Sequence, residues 1–353
     1  MRVRSSVILG AVERDCERIV REGKPQNIAN TIWAMATLQH DAPALAKAID
    51  SKEVVERLVR EGNSQDIANT IWAIATLQHD APVLAKAIDR KEVVDFLVSE
   101  GNPQEIANTI WAMAILQHDS PVLAKAIDSK EVVDFLVREG NPQNIANTIW
   151  AMATLQHDAS VLAKAIDRKE VVERIVREGT PQEIANTIWA MAKLQHDAPV
   201  LAKAIDRKEV VEKLVREGKP QGIANTIWAM VTLQRDAPTL AKAIDSKEVV
   251  ERLVREGNPQ NIVNTIWAMA TLQHDAPVFA KAIDRKEVVE RLVREGTLQN
   301  ISNTIWSFGV LGLVRENEES VRLLWDDSMT QPLGNFGDED LQQFELTRLF
   351  AKS

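Results

Sequence analysis

Apolar residues recur along the chain with the spacing of a helix. Ile28, Ile32 and Met35 are three or four residues apart, so at 100° per residue they share one face. The segment opens at Pro25, and a second apolar run stops at Gly62. Proline at the first helical position and glycine after the last are typical of a helix start and of a left-handed helix end. The pattern predicts a pair of helices.

The second apolar run has two interpretations. We favour one long helix that begins near Pro43 and carries its apolar residues through Val59. Asp50 and Glu53 have instead the spacing of a capping box, which would divide the run and give a unit of three helices.

A tryptophan marks the same place in every copy of this pattern. Eight of the nine tryptophans are 39 residues apart: Trp33, Trp72, Trp111, Trp150, Trp189, Trp228, Trp267 and Trp306. A fixed period of this length indicates stacked supersecondary units. We therefore predict an all-α fold, an α-solenoid superhelix of stacked 39-residue helical hairpins. The copies are so alike that recent duplication and deliberate consensus design both stay open.

Three regions follow from the period. We predict an N-terminal half-repeat cap over 1–23, an array with eight first helices over 24–312, and a degenerate C-terminal helical cap over 313–353. In the last region a turn-rich break over 331–337 precedes a final helix from about Asp338. Degenerate end units are expected because they must cover the open ends of the core.

The first helix also carries a polar strip opposite its apolar face. In every copy this strip holds a recurrent Gln and Asn, a small residue such as Ala34, and two variable positions. The candidate binding residues are Gln26, Asn27, Asn30, Thr37, Gln65, Asp66, Asn69, Thr76, Gln104, Glu105, Asn108, Ile115, Gln143, Asn144, Asn147, Thr154, Gln182, Glu183, Asn186, Lys193, Gln221, Gly222, Asn225, Thr232, Gln260, Asn261, Asn264, Thr271, Gln299, Asn300 and Asn303. A constant core beside variable hydrogen-bonding positions favours a modular reader, and drift of surface residues is the alternative.

Composition narrows the function classes. The chain has 45% hydrophobic and 26% charged residues, one cysteine and a net charge of −9. One cysteine excludes an intrachain disulfide framework. The negative charge argues against a surface that is phosphate-binding throughout. We find no apolar run long enough for a membrane span, no phosphate loop and no catalytic or metal-ligand pattern, so we expect neither an enzyme nor a cofactor.

The phrase Pro-Gln-x-Ile-Ala-Asn-Thr-Ile-Trp-Ala-Met-Ala-x-Leu resembles the octotricopeptide repeat, over roughly residues 14–312. The same consensus is found in the helical region of organellar proteins with FAST-kinase-like and RAP domains. The resemblance implies an RNA-binding protein of the chloroplast or mitochondrion that acts in RNA stability, processing or translation. It also implies contact through the open face of the first helices.

Three recurrent side chains have competing interpretations. His40 and Asp41, repeated in five further copies, fit a cation at a helix end and a cap for the next helix better than acid–base or metal chemistry. Trp33 borders the apolar face, so we favour packing between repeats over base stacking. Asn30 fits a ligand contact and a bond to the neighbouring repeat equally well. The recurrent Lys47 fits a solvated mixed-charge face better than a phosphate stripe.

Two binding hypotheses remain, besides a scaffold without a ligand. The first is a single-stranded RNA reader that contacts about one nucleotide per repeat, roughly eight in all. The second is an armadillo-like solenoid that holds an extended peptide or protein partner through its Asn ladder. We expect no membrane partner and no small-molecule substrate.

Overall fold

Each repeat consists of three helices. In the first repeat these are α3 (Pro25–Thr37), α4 (Pro43–Ile49) and α5 (Lys52–Glu61). Pro25 and Pro43 occupy the first helical position, where the missing N–H has no intrahelical partner to lose. Gly62 ends α5 with extended backbone and not with the predicted left-handed one, φ being −78°. Glycine is needed there because a Cβ would lie 2.5 Å from the Leu58 carbonyl oxygen.

A computed structural model describes residues 6–314 and 317–329, in which there are 25 α-helices and no strand. The chain divides into two units, Met1–Arg174 and Ile175–Ser353. The helices of the first unit, in addition to those of the first repeat, are α1 (Ser6–Arg14), α2 (Cys16–Glu22), α6 (Ser64–Thr76), α7 (Pro82–Ile88), α8 (Lys91–Glu100), α9 (Pro103–Ile115), α10 (Pro121–Ile127), α11 (Lys130–Glu139), α12 (Pro142–Thr154), α13 (Ser160–Ile166) and the start of α14 (Lys169–Glu178).

The second unit repeats the same order of helices. Its helices after α14 are α15 (Pro181–Lys193), α16 (Pro199–Ile205), α17 (Lys208–Glu217), α18 (Pro220–Thr232), α19 (Pro238–Ile244), α20 (Lys247–Glu256), α21 (Pro259–Thr271), α22 (Pro277–Ile283), α23 (Lys286–Glu295), α24 (Leu298–Val310) and α25 (Glu318–Met329).

The single long second helix that we favoured is wrong, and the three-helix alternative is correct. The break falls at Asp50 and Ser51, where the backbone turns from ψ 10° to ψ 144°. Its cause lies outside the repeat. The Asp50 carboxylate accepts hydrogen bonds from the backbone N–H of Val83 (3.3 Å) and Leu84 (2.8 Å), at the start of α7 in the next repeat. The spacing of Asp50 and Glu53 predicts a capping box within the repeat, whereas the Asp50 carboxylate caps α7 of the next repeat.

Helices of successive repeats pack in two layers within each unit. The first helices lie side by side, α3 against α6 and α6 against α9 in the first unit, and α15 against α18 and α18 against α21 in the second. The third helix of one repeat packs on the second helix of the next, as α5 does on α7. The core between the layers is apolar and fully buried, with Ile71, Leu84 and Val94 at 0–1% exposure. The all-α solenoid fold is therefore confirmed in each unit.

Both ends of the described chain continue this packing. The helix α2 packs on α4, and Glu13 of α1 accepts hydrogen bonds from the N–H groups of Ala44 and Leu45, as Asp50 does one repeat later. At the other end α25 packs on α23 and α24, and Ser320 Oγ donates to the Asp284 carbonyl oxygen. The predicted break over 331–337 and the helix from Asp338 lie outside the described residues.

Candidate binding face of the first helices

The first helix is buried on two flanks, which α6 illustrates. Ile67, Ile71 and Ile74 face the core, and Thr70 and Ala73 are equally buried at 0% exposure. The second flank is buried because first helices pack side by side. At 100° per residue, only an arc of about 60° is left to solvent.

We call the residues of this arc the exposed strip. In α6 they are Gln65, Asn69, Trp72 and Thr76, and the equivalent residues form the strip of the other first helices. The alanine predicted on the open side, Ala34 in the first repeat, is fully buried as Ala73 in α6 and as Ala190 in α15. Its position in the polar strip was therefore wrong, because the neighbouring first helix covers it.

The residue after the recurrent Gln is also buried in four of the eight copies. Asp66, Asn144, Asn261 and Asn300 are buried at 3–7% exposure, which corrects their predicted place on the open face. Each is the third residue of its helix and closes a capping box with the residue before the helix. Capping therefore accounts for the Asp, Glu and Asn found at this position.

Glu105 illustrates the hydrogen bonds that a residue at this position makes. Its N–H donates to Asn102 Oδ1 (3.0 Å), and its carboxylate accepts from the Asn102 N–H (3.2 Å) and from Ser64 Oγ of the preceding repeat (2.8 Å). The same box forms between Glu183 and Thr180. Asn27 and Gly222 lack the box, because lysine precedes their helices.

The recurrent Gln and Asn are placed where the sequence predicted. The Gln is exposed in all eight copies, and the Asn is exposed in the first copy and half-buried in the other seven. The two can bond to each other along one helix, since Gln260 Nε2 donates to Asn264 Oδ1 at 2.6 Å. Asn300, the residue after the recurrent Gln of the last repeat, donates from Nδ2 to Gln260 Oε1 of the preceding repeat at 2.8 Å. Amides of successive repeats are therefore within reach of one another.

The tryptophans belong to the exposed strip and are partly buried, so packing between repeats, the interpretation that we favoured, and base stacking both stay open. Trp33 is 42% exposed, and its seven counterparts are half-buried. Lys193 places its ammonium 5.9 Å from the ring centroid of Trp189 and 5.4 Å from that of Trp228 in the next repeat. The indole faces of these two repeats are thus open to a group lying between them.

The variable residue in the last turn of the first helix is on the exposed strip, as predicted. All eight copies are exposed or half-buried: Thr37, Thr76, Ile115, Thr154, Lys193, Thr232, Thr271 and Val310. Thr232 and Thr271 each donate their hydroxyl to the carbonyl of the tryptophan four residues earlier. Among the six copies that have a repeat on each side, only Ile115 and Lys193 lack this hydroxyl.

A glutamine that sequence reasoning missed follows the first helix in seven of the eight copies. The seven equivalent residues have φ between 51° and 60° and are exposed; they are Gln39, Gln78, Gln117, Gln156, Gln195, Gln234 and Gln273. In the eighth copy the place is taken by Gly312, with φ 71°. A left-handed backbone costs a residue with a Cβ roughly 1–2 kcal/mol. Only Gly312 signals this turn in the sequence, because glutamine is not a usual left-handed residue.

The recurrent histidine and aspartate connect neighbouring repeats. His79 Nε2 is 2.7 Å from Asp41 Oδ1, and His157 Nε2 is 2.9 Å from Asp119 Oδ1. Where arginine replaces histidine, Arg235 pairs with Asp197 in the same way. The predicted cap on the next helix is wrong, since Asp41 makes no cap bond to α4. Both residues serve the junction between repeats.

The two ends of the exposed strip differ in charge. Beyond the carboxyl ends of the first helices lies a row of exposed aspartates, of which Asp41 and Asp80 are the first. Just before the amino ends lies a row of exposed arginines, each ion-paired to the glutamate that follows it: Arg21, Arg60, Arg138, Arg177, Arg216, Arg255 and Arg294. Within the strip, Lys193 supplies the charge.

Two features are absent from the described part of the chain. No helix there is long and apolar enough to cross a membrane. No three histidine, cysteine, aspartate or glutamate side chains converge there in a way that would hold a metal ion.

Comparison with known proteins adds a likeness of limited extent. A family model described as a protein of unknown function (DUF1601) is similar to residues 8–32, 53–71, 100–110, 138–149 and 180–188. Each segment reaches into a first helix, includes its recurrent Asn and stops one residue before its tryptophan. No curated protein matches the chain. The octotricopeptide resemblance stays a prediction.

Proposed function

We propose that this protein is a non-enzymatic binder of single-stranded RNA that contacts about one nucleotide per repeat along the exposed strip. The observation that carries the proposal is the row of part-exposed tryptophans beside glutamine and asparagine amides. An indole stacks on any base, and an amide can both donate and accept a hydrogen bond. A strip of this kind suits a ligand that is planar and polar in every unit.

The spacing of the first helices supports unstacked bases. Packed helices lie about 8–10 Å apart, whereas stacked nucleotides rise about 3.4 Å along one strand. Bases bound to successive repeats therefore cannot stack on one another, and an aromatic side chain would have to fill the gap. The Lys193 ammonium, beside Trp189 and Trp228, occupies such a gap. Four first helices in each unit would bind about four nucleotides.

Positive charge that attracts the RNA would come from the arginine row at the amino ends of the first helices, which would steer the strand toward the strip without binding each phosphate. Each of these arginines is about 70% exposed, for example Arg60 at 71% and Arg216 at 73%. Each also has a glutamate partner, so we expect fewer released counterions than in a basic RNA-binding protein. Affinity should fall with salt, but less steeply than for a protein with one unpaired cation per phosphate.

The octotricopeptide resemblance extends this proposal to RNA stability, processing or translation in a chloroplast or mitochondrion. An armadillo-like peptide clamp is the outcome that would replace RNA binding, since the Asn row could also hold an extended backbone. Salt separates the two, because a neutral peptide backbone releases no counterions.

The test is selection from a random single-stranded RNA pool at physiological salt. The wild-type protein is compared with a triple variant in the strip, Asn69→Ala, Asn108→Ala and Asn147→Ala. A matched control removes three exposed cations from the second helices, Lys47→Ala, Lys86→Ala and Lys125→Ala.

We expect a selected motif that the Asn variant loses and the Lys control keeps. Loss in the Lys control alone would place the RNA on another surface and overturn the proposed site. No enrichment by folded wild-type protein would overturn RNA binding, and the same protein should then enrich peptides from a library if it is a clamp.

One natural exchange tests whether the strip reads bases. Lys193→Thr installs the residue found at this position in most repeats and frees the Trp189–Trp228 gap. We expect the selected motif to change at one nucleotide and to keep the others. An unchanged motif would mean that this position contributes no specificity.

A further inference from the structure

The left-handed glutamines carry a conformational cost that their repeat does not require. Their backbone N–H bonds, such as Gln117 to Ala114 (3.1 Å), would form equally with glycine. Gly312 takes the same turn in the eighth copy. Among the described residues, none of the seven glutamine side chains makes a hydrogen bond, and all seven residues are exposed. Strained residues retained without a structural reason point to a binding role.

The turn opens onto the exposed strip. A groove of about 490 Å³ in the second unit is lined by Gln195 and Gln234 from two successive turns and by Thr232 from the strip. A ligand lying on the strip therefore reaches the glutamine amides through the last turn of the helix.

The chemistry of the contact follows from two features. The seven glutamines are identical, whereas the strip residue next to them varies, so they must bind an atom that every unit of the ligand presents. An exposed aspartate such as Asp80 lies two residues after each of these glutamines, beside the carboxyl end of the helix; in the groove itself the aspartate, Asp197, is paired with Arg235. A phosphate would be repelled there, whereas a neutral hydroxyl would not.

We propose that this row of left-handed glutamines binds the ribose 2′-hydroxyl of each nucleotide and thereby selects RNA over DNA. The inference rests on the proposed RNA binding. A 2′-hydroxyl donates one hydrogen bond and can accept two, so a glutamine amide can accept from it through its oxygen and donate to it through its NH₂ group.

The test compares three oligonucleotides that carry the selected motif: RNA, DNA and 2′-O-methyl RNA. The variant is the triple Gln78→Gly, Gln117→Gly and Gln156→Gly in the first unit. The control is the triple Gln65→Ala, Gln104→Ala and Gln143→Ala, which removes as many exposed amides from the other end of the same helices.

Wild-type protein should bind RNA at least about tenfold more tightly than DNA or 2′-O-methyl RNA. The Gly variant should lose at least about tenfold in RNA affinity and change less than about twofold for DNA, with thermal stability unchanged or raised. The control should weaken RNA and DNA binding to a similar degree. A second triple with asparagine at the turns, which tolerates this backbone but has a shorter side chain, should repeat the loss of preference.

Each other outcome has a definite meaning. Equal affinity of the wild type for RNA and DNA, or a Gly variant that keeps its RNA preference, overturns the inference and leaves RNA binding in place. Equal losses for RNA and DNA in the Gly variant would assign the glutamines to an atom common to both. Absence of RNA binding by the wild type would overturn the proposed function itself.

Discussion

At the residue scale, folding raises the pKa of carboxylates that cap the next repeat. Asp50, Asp89 and Asp245 are half-buried and accept backbone N–H groups at the start of the following second helix. Burial raises the pKa of each carboxyl above its usual value, and the N–H bonds oppose that rise without cancelling it. These aspartates therefore join repeats through an ionised group that folding partly desolvates.

Replacing Asp50 by asparagine should change how stability depends on pH. The native pKa of Asp50 is raised from 3.8, so between the unfolded and native pKa values the folded protein binds more protons. Its stability contribution therefore declines as the pH rises through this window. We expect the free energy of unfolding of the wild type, relative to Asp50→Asn, to fall as the pH rises above about 4 in denaturant titrations.

A Glu53→Gln variant removes an exposed carboxylate from the neighbouring helix and controls for the change in net charge. A rising difference between the wild type and Asp50→Asn over the same range would contradict the argument.

At the scale of elements, an arginine on the third helix secures the helix before it. The Arg57 guanidinium on α5 donates to the carbonyls of Val20 and of Arg21 (3.0 Å) in the last turn of α2. Arg252 and Lys213 donate to the equivalent carbonyls of their preceding helices, whereas Phe96 takes this position in the second repeat. Variation that resembles surface drift in the sequence is thus variation in how one helix end is covered.

Truncating Arg57 should therefore weaken the junction between helices. Arg57→Ala leaves part-buried carbonyls without their charged donor and should lower the free energy of unfolding by about 1–2 kcal/mol. Arg60→Ala on the same helix removes an exposed pair with Glu61 and should change it by less than about 0.5 kcal/mol. Denaturant unfolding of both variants checks this, and equal effects would refute a special role for Arg57.

At the scale of the whole molecule, the repeats form two units that each bury one core between layers of helices. Contacts run from one repeat to the next through Asp50, Arg57 and the His79–Asp41 pair. Stability of such a chain is approximately a sum over repeats and their interfaces. Length should therefore be adjustable one repeat at a time.

Deleting residues 63–101 tests this modularity. The deletion joins Gly62 to Asn102, so the capping residue before the next first helix is kept. We expect a folded protein of lower stability whose selected RNA motif is about one nucleotide shorter. Duplicating the same residues should lengthen the motif. A folded deletion variant with an unchanged motif would disprove the correspondence between repeat and nucleotide.

The sequence by itself determined the helical class, the 39-residue period, the first helix and its caps at Asn102 and Thr180, because these depend on local spacing and on residues close together in the chain. It also placed Gln65 and Asn69 on the open side. Tertiary structure alone decided the exposure of Trp72 and the burial of Asp66. A neighbouring first helix covers a second flank, which no pattern within a single helix reveals.

The break at Asp50 and the left-handed turn at Gln117 are hard to read from the sequence for two different reasons. Asp50 bonds to groups far along the chain, whereas Gln117 takes a backbone conformation that is unusual for glutamine. Hydrophobic periodicity reports which face of a helix meets the core. It does not report which helix lies beside it, and in this protein the neighbouring helix decides which side chains are left for a ligand.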